Sequence, residues 1–128
     1  LSAAEGGDAS AQHNMAWLYE NGTGVDQSWE QAIFWYEKAA AQEYGLSLNN
    51  LGVIYKRGDG VEIDLSKAFK YYMRGADGMN VLAQYNVAKF YELGLFVEKD
   101  AEQARVYYES ACLQRYQASC DRLKYLDR

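Results

Sequence analysis

Cys112, Cys120 and His13 are the side chains of this 128-residue sequence best suited to nucleophilic, redox or soft-metal chemistry. The two cysteines, with seven residues between them, admit two readings. At a tight corner between two helices such positions fall within bridging distance, which would imply an oxidising compartment. Otherwise they are two buried reduced thiols, Cys112 standing where Ala40 and Ala76 stand 72 and 36 residues earlier. A catalytic thiol needs a neighbouring group that lowers its pKa, and no histidine lies near either cysteine in that register. His13, the single histidine, supplies neither the several ligands of a zinc site nor a convincing triad. It reads as an exposed side chain or a contact for a partner. The pairs Gly22-Thr23-Gly24 and Gly58-Asp59-Gly60 lack the Gly-Lys-Ser/Thr ending of a phosphate-binding loop and follow no strand, so they read as turns. Asn21-Gly22-Thr23 matches a glycosylation acceptor, although the repeat described below already accounts for Gly22. The 18 Asp and Glu residues are scattered, and no acid/base pair stands out. The sequence therefore predicts a protein that is not an enzyme and needs no cofactor and no metal.

Composition narrows the class further. A 49% apolar fraction argues against disorder, and the length suits one ordinary domain. No apolar run approaches the ~18 residues that span a bilayer. The opening Leu1-Ser2-Ala3-Ala4-Glu5 has no basic segment of a signal peptide, and the chain reads as a piece of a longer protein or a mature product. The formal net charge of −5 speaks against nucleic acid as a partner, because that affinity comes from clustered Lys and Arg. It fits solubility, or a basic protein partner.

The elements that must position these residues emerge from an internal period of 36 residues, with rows starting at Ala11, Ser47 and Ala83. Identical columns are Asn14/Asn50/Asn86, Tyr19/Tyr55/Tyr91, Gly22/Gly58/Gly94, Val25/Val61/Val97, Ala32/Ala68/Ala104 and Tyr36/Tyr72/Tyr108. Gapless periods of this length mark stacked repeats. In each row, apolar residues at helical spacing, such as Ala11, Met15, Leu18 and Tyr19, define a first helix. The Gly22 column ends it, since glycine tolerates the left-handed cap. Ser28, Asp64 and Asp100 suit the N-cap of a second helix, and Gln31 and Gln103 complete a capping-box pattern. Small residues at Ala16/Gly52/Ala88 and Ala39/Gly75/Ala111 let helices approach, with the Tyr columns filling the space between. The prediction is one all-α domain over 1–128, a solenoid of stacked 36-residue helix–turn–helix units. Residues 1–10 are the tail of a preceding repeat, 11–46, 47–82 and 83–118 are complete repeats, and 119–128 are a partial fourth.

The pattern Leu51-Gly52-x-x-Tyr55, Gly58-Asp59-Gly60-Val61, Ala68, Tyr71-Tyr72, Gly75-Ala76 resembles the Sel-one-like repeat (SLR) family, a relative of the tetratricopeptide repeat. Gly22-Thr23-Gly24-Val25, Ala32, Trp35-Tyr36 and Ala39-Ala40 repeat the likeness, and it covers essentially the whole chain. It implies a right-handed α-α superhelix and an adaptor role in protein assemblies. Two departures stand out. The family's usual Pro after the Gly-x-Gly-Val turn is missing, as the chain has no Pro, and Gly94-Leu95-Phe96-Val97 lacks the second Gly. That turn is expected to take a different conformation, with an exposed Phe96 that either contacts the next helix or joins a partner site. In a cysteine-rich bacterial subgroup the same cysteine spacing staples adjacent helices. The resemblance thus implies a Cys112–Cys120 disulfide and a periplasmic or secreted protein, the alternative being cytoplasmic. The same subgroup supplies a competing function, weak β-lactam binding or hydrolysis.

First helices of such solenoids line the concave surface. The expected function is therefore binding of another protein or peptide there, as adaptor, assembly factor or inhibitor, by a monomer. Variable first-helix positions would carry specificity: His13, Trp17 and Glu20; Asn49, Val53 and Lys56; Tyr85, Lys89 and Glu92. Asn21 and Arg57 would lie at the rim. Trp17 is either an exposed anchor of the kind enriched at interfaces or packed beneath the preceding helix tail.

Overall fold

A computed structural model describes residues 2–126; Leu1 of the N-terminal tail and Asp127 and Arg128 of the partial fourth repeat lie outside it. The described residues form eight helices: α1 (Ser2–Glu5), α2 (Ala9–Asn21), α3 (Trp29–Ala40), α4 (Gly45–Arg57), α5 (Leu65–Asp77), α6 (Val81–Leu93), α7 (Ala101–Leu113) and α8 (Gln117–Leu126). They stack as an all-α superhelix. The pairs α2–α3, α4–α5 and α6–α7 pack most extensively, and α3–α4, α5–α6 and α7–α8 join neighbouring units.

Local chemistry sets the corners. Gly22, Gly58 and Gly94 adopt left-handed φ and donate their N–H to the carbonyls of Leu18, Ile54 and Phe90. The side chains of Ser28, Asp64 and Asp100 accept from the N–H of Gln31, Lys67 and Gln103 at 3.2, 3.0 and 3.1 Å. The reciprocal half of the expected capping box is replaced. The cap residues' own N–H groups donate to the carbonyls of Tyr19, Tyr55 and Tyr91, each at 2.9 Å. That bond already satisfies the donor which a Gln31 or Gln103 side chain would otherwise serve.

The turn around Phe96 departs from expectation. Its φ is 61°, against 74° at Gly24 and 72° at Gly60, so the backbone keeps the left-handed conformation without glycine. Such a conformation costs a side-chain-bearing residue about 1–2 kcal/mol. The Phe96 ring, 55% exposed, lies 5.8 Å from Phe69 on α5 of the preceding repeat, a contact that offsets part of that cost. At Gly60 a Cβ would come within 2.3 Å of the Trp29 Cβ, so that turn has no room for a similar substitution.

The core is the column of fully buried Tyr36, Tyr72 and Tyr108 set against Ala16, Gly52 and Ala88. At Gly52 an added Cβ would fall 2.4 Å from the Tyr72 ring, so this close approach admits only glycine. Helix α4 also meets α6 directly, while no two second helices pack together to that extent. At this junction the first helices α4 and α6 lie on the shorter side of the stack.

Candidate functional site

Two clefts open along the first helices. One, of about 110 Å³, is lined by Glu20, Trp29, Asn50, Val53, Ile54, Arg57 and Asp59. The second, of about 270 Å³, is lined by Tyr85, Lys89, Glu92, Leu93, Tyr108 and Arg122. Five of the nine side chains expected to meet a partner thus fall in clefts: Glu20, Val53, Tyr85, Lys89 and Glu92. Trp17 is 48% exposed, with the α1 tail leaving it uncovered. Lys56 is half-buried.

His13 and Asn49 are placed differently. The His13 ring sits between Tyr36 and Tyr44, with centroids 5.3 and 5.4 Å away, and Nδ1 lies 2.7 Å from Ser47 Oγ. Burial pushes its pKa below the ordinary histidine value. It is therefore not the exposed side chain that the sequence pattern implied. Asn49 is buried, and its Oδ1 accepts from Asn86 Nδ2 at 2.8 Å. Both corrections share one cause. Stacking covers the flank of a first helix that faces the next repeat, whereas an apolar stripe reports only the face toward its own partner helix. A serine and a histidine at this distance form the usual nucleophile–base pair, but Ser47 has no exposed surface, and the pair serves as a tie between α2 and α4.

The acidic members of the set are held from within. Tyr36 Oη donates to Glu20 Oε1 at 3.2 Å, and Tyr108 Oη donates to Glu92 Oε1 at 2.6 Å. Burial raises the pKa of both phenols, so they stay protonated donors. Arg122, on α8, adds a two-pronged ion pair to Glu92, its Nε 3.2 Å from Oε1. Neither Arg122 nor the Tyr hydroxyls were singled out from the sequence. The available signal was the constant offset of 16 residues between each Glu and its Tyr.

The lysines are different. Lys89 lies over the Tyr85 ring, 5.5 Å from its centroid. Burial lowers the Lys56 pKa, and the positive charge of Lys89 lowers it further. At the far end, Cys112 at the close of α7 and Cys120 in α8 form a disulfide with their Cα atoms 4.9 Å apart. It fixes α8, and with it Arg122, against α7.

The three helix pairs, their Gly-capped turns and their Tyr columns coincide with matches to the Sel1 repeat model at residues 9–44, 45–78 and 81–116. The chain belongs to the Sel1 repeat family. Sel1 repeat proteins generally mediate protein–protein interactions, and their fold is generally a non-enzymatic scaffold. A Sel1 repeat protein from Oxalobacter formigenes is 36% identical, with a TM-score of 0.90, over 96% of this chain and 92% of its own. A protective antigen of uropathogenic Escherichia coli strains with an SLR fold is 35% identical, TM-score 0.92, over 97% of this chain and 27% of that one. Cysteine rich protein B of Helicobacter pylori, 21% identical with a TM-score of 0.77 over 94% of this chain and 91% of that one, shares the fold. The chitin synthase regulator of Saccharomyces cerevisiae is 43% identical over 49 residues, and the match spans 38% of this chain and 7% of that protein's length. No described helix of this Sel1 repeat chain is long and apolar enough to cross a membrane.

Proposed function

We propose that this chain is a binding module that holds an extended segment of a partner protein along the inner side of α2, α4 and α6. It would act as a monomeric adaptor, assembly factor or inhibitor. One observation carries the reading. The constant Ala and Tyr columns are consumed by the core, whereas Glu20, Val53, Tyr85, Lys89 and Glu92, all at variable first-helix positions, line the two clefts. Trp17 supplies an exposed aromatic of the kind that anchors interfaces. The disulfide supports placement in an oxidising compartment, periplasmic or extracellular.

Site-specific photo-crosslinking in the native host tests this. A photoreactive residue at Val53 is expected to capture a discrete partner, and Trp17→Ala is expected to weaken that capture. The same probe at Val106, 55% exposed on α7, is expected to capture nothing comparable. Capture from Val106 alone would move the binding surface to the outer helices.

A further inference from the structure

The sign of charge on the inner side opposes that of the whole chain. Against a net charge of −5, the middle of the first-helix surface carries Lys56 and Lys89. Every carboxylate bordering the clefts has a partner already. Glu20 accepts from Tyr36, Glu92 accepts from Tyr108 and pairs with Arg122, and Asp59 lies 3.9 Å from Arg57. Among the described residues neither Lys56 nor Lys89 has a carboxylate partner. Lys56 and Lys89 stand 36 residues after Glu20 and Val53, which line one cleft between α2 and α4. The repeat thus sets the two ammonium groups on facing flanks of α4 and α6, both half-buried. Like charges so placed repel, and the repulsion strengthens as water is excluded. Burial first, and then the charge of Lys89, lower the Lys56 pKa. An anion seated between them would remove that penalty and gain two charge-assisted hydrogen bonds. Tyr85, beneath Lys89, restrains one wall of the position.

We propose that Lys56 of α4 and Lys89 of α6 together hold a side-chain carboxylate from an acidic segment of the partner protein. This rests on the inner side being the binding surface, and it names the chemistry of what binds there. Net charge alone fits solubility or a basic partner; the local arrangement selects an acidic one. Lys67, Lys70 and Arg74 on α5 form a second basic group, but Arg74 pairs with Glu43 at 2.7 Å and Lys67 lies over the Tyr55 ring, leaving less unmet charge there.

The test is an NMR titration of the isotope-labelled chain, disulfide intact, with a peptide of alternating Glu and Leu. Counterparts carrying Gln or Lys in place of Glu serve as references. Saturable shifts of the α4 and α6 amides around Lys56 and Lys89 are expected with the Glu peptide. They should weaken about tenfold in the Lys56→Gln/Lys89→Gln variant, the sum of two modest ion pairs, and stay unchanged in Lys70→Gln. Added salt should weaken them as well. Equal shifts with the Glu and Gln peptides would overturn the carboxylate assignment while leaving the inner side as a binding surface. Glu-peptide shifts confined to α5, or no saturable shifts with any peptide, would overturn both.

Discussion

Repeat two and its neighbours solve the same positions differently. In repeats one and three, Gln12 and Gln84 each accept from a glutamine 30 residues on, Gln42 at 3.1 Å and Gln114 at 2.8 Å. Glu20 and Glu92 each accept from a tyrosine 16 residues on. Repeat two has Leu48 and Gly78 in place of the glutamine pair, and Lys56 in place of the glutamate. Tyr72 keeps its ring in the core, with no carboxylate for its hydroxyl among the described residues. The outer repeats thus spend their polar groups on the fold. The middle repeat leaves a cation on the inner side without a counter-charge. We infer that a position that stabilises the stack in one repeat is released for recognition in the next.

That contrast breaks most readily at Glu92. Glu92→Ala strands Arg122 and the Tyr108 hydroxyl and should cost about 2 kcal/mol, whereas Lys56→Ala should stay within about 0.5 kcal/mol. Urea unfolding of the two variants reads the difference, and equal losses would remove the distinction between the repeats. Next in size is the pair of hydroxyl deletions. Tyr108→Phe should lose about 1 kcal/mol, and Tyr72→Phe should be near neutral, because only the former donates to a glutamate.

The smallest effect concerns the junction of repeats one and two. His13 has a folded-state pKa below its ordinary value of 6.5. The unfolded chain therefore binds the proton more readily, and stability is full above that pH. It falls as the pH drops below 6.5 toward the folded value. Melting temperatures across this window should decline in the parent chain, and the decline should shrink in His13→Asn, which places there the residue found at Asn49. An unchanged slope in the variant would remove His13 from the account.

The repeat, its helix ends and its tyrosine core were legible because each is written in one column. Gly22, Ser28 and Tyr36 recur with their physical reasons attached. The proposed binding side was legible only in part, since His13 and Asn49 look like variable surface positions until a neighbouring repeat is stacked on them. The left-handed corners at Glu43, Met79 and Arg115 were equally hidden. Only Gly7 in that column announces the conformation, and in the others the stacked helices impose it on residues that disfavour it. The clasp between Glu92 and Arg122 depends on how α8 lies against α6, a relation no single column contains. The cysteines left two readings open from their spacing alone, and the structure closes α7 to α8 with the disulfide.

We propose that Lys56 is a position kept for binding at the expense of a stabilising contact. Lys56→Glu tests it most directly. The substitution places a glutamate 16 residues before Tyr72, restoring the arrangement of the outer repeats, and beside Lys89. Chemical denaturation and Glu-peptide titration on the same sample should show a gain of about 0.5 kcal/mol in stability together with loss of the acidic peptide. A destabilised variant that still binds the peptide at the parent's affinity would contradict the account.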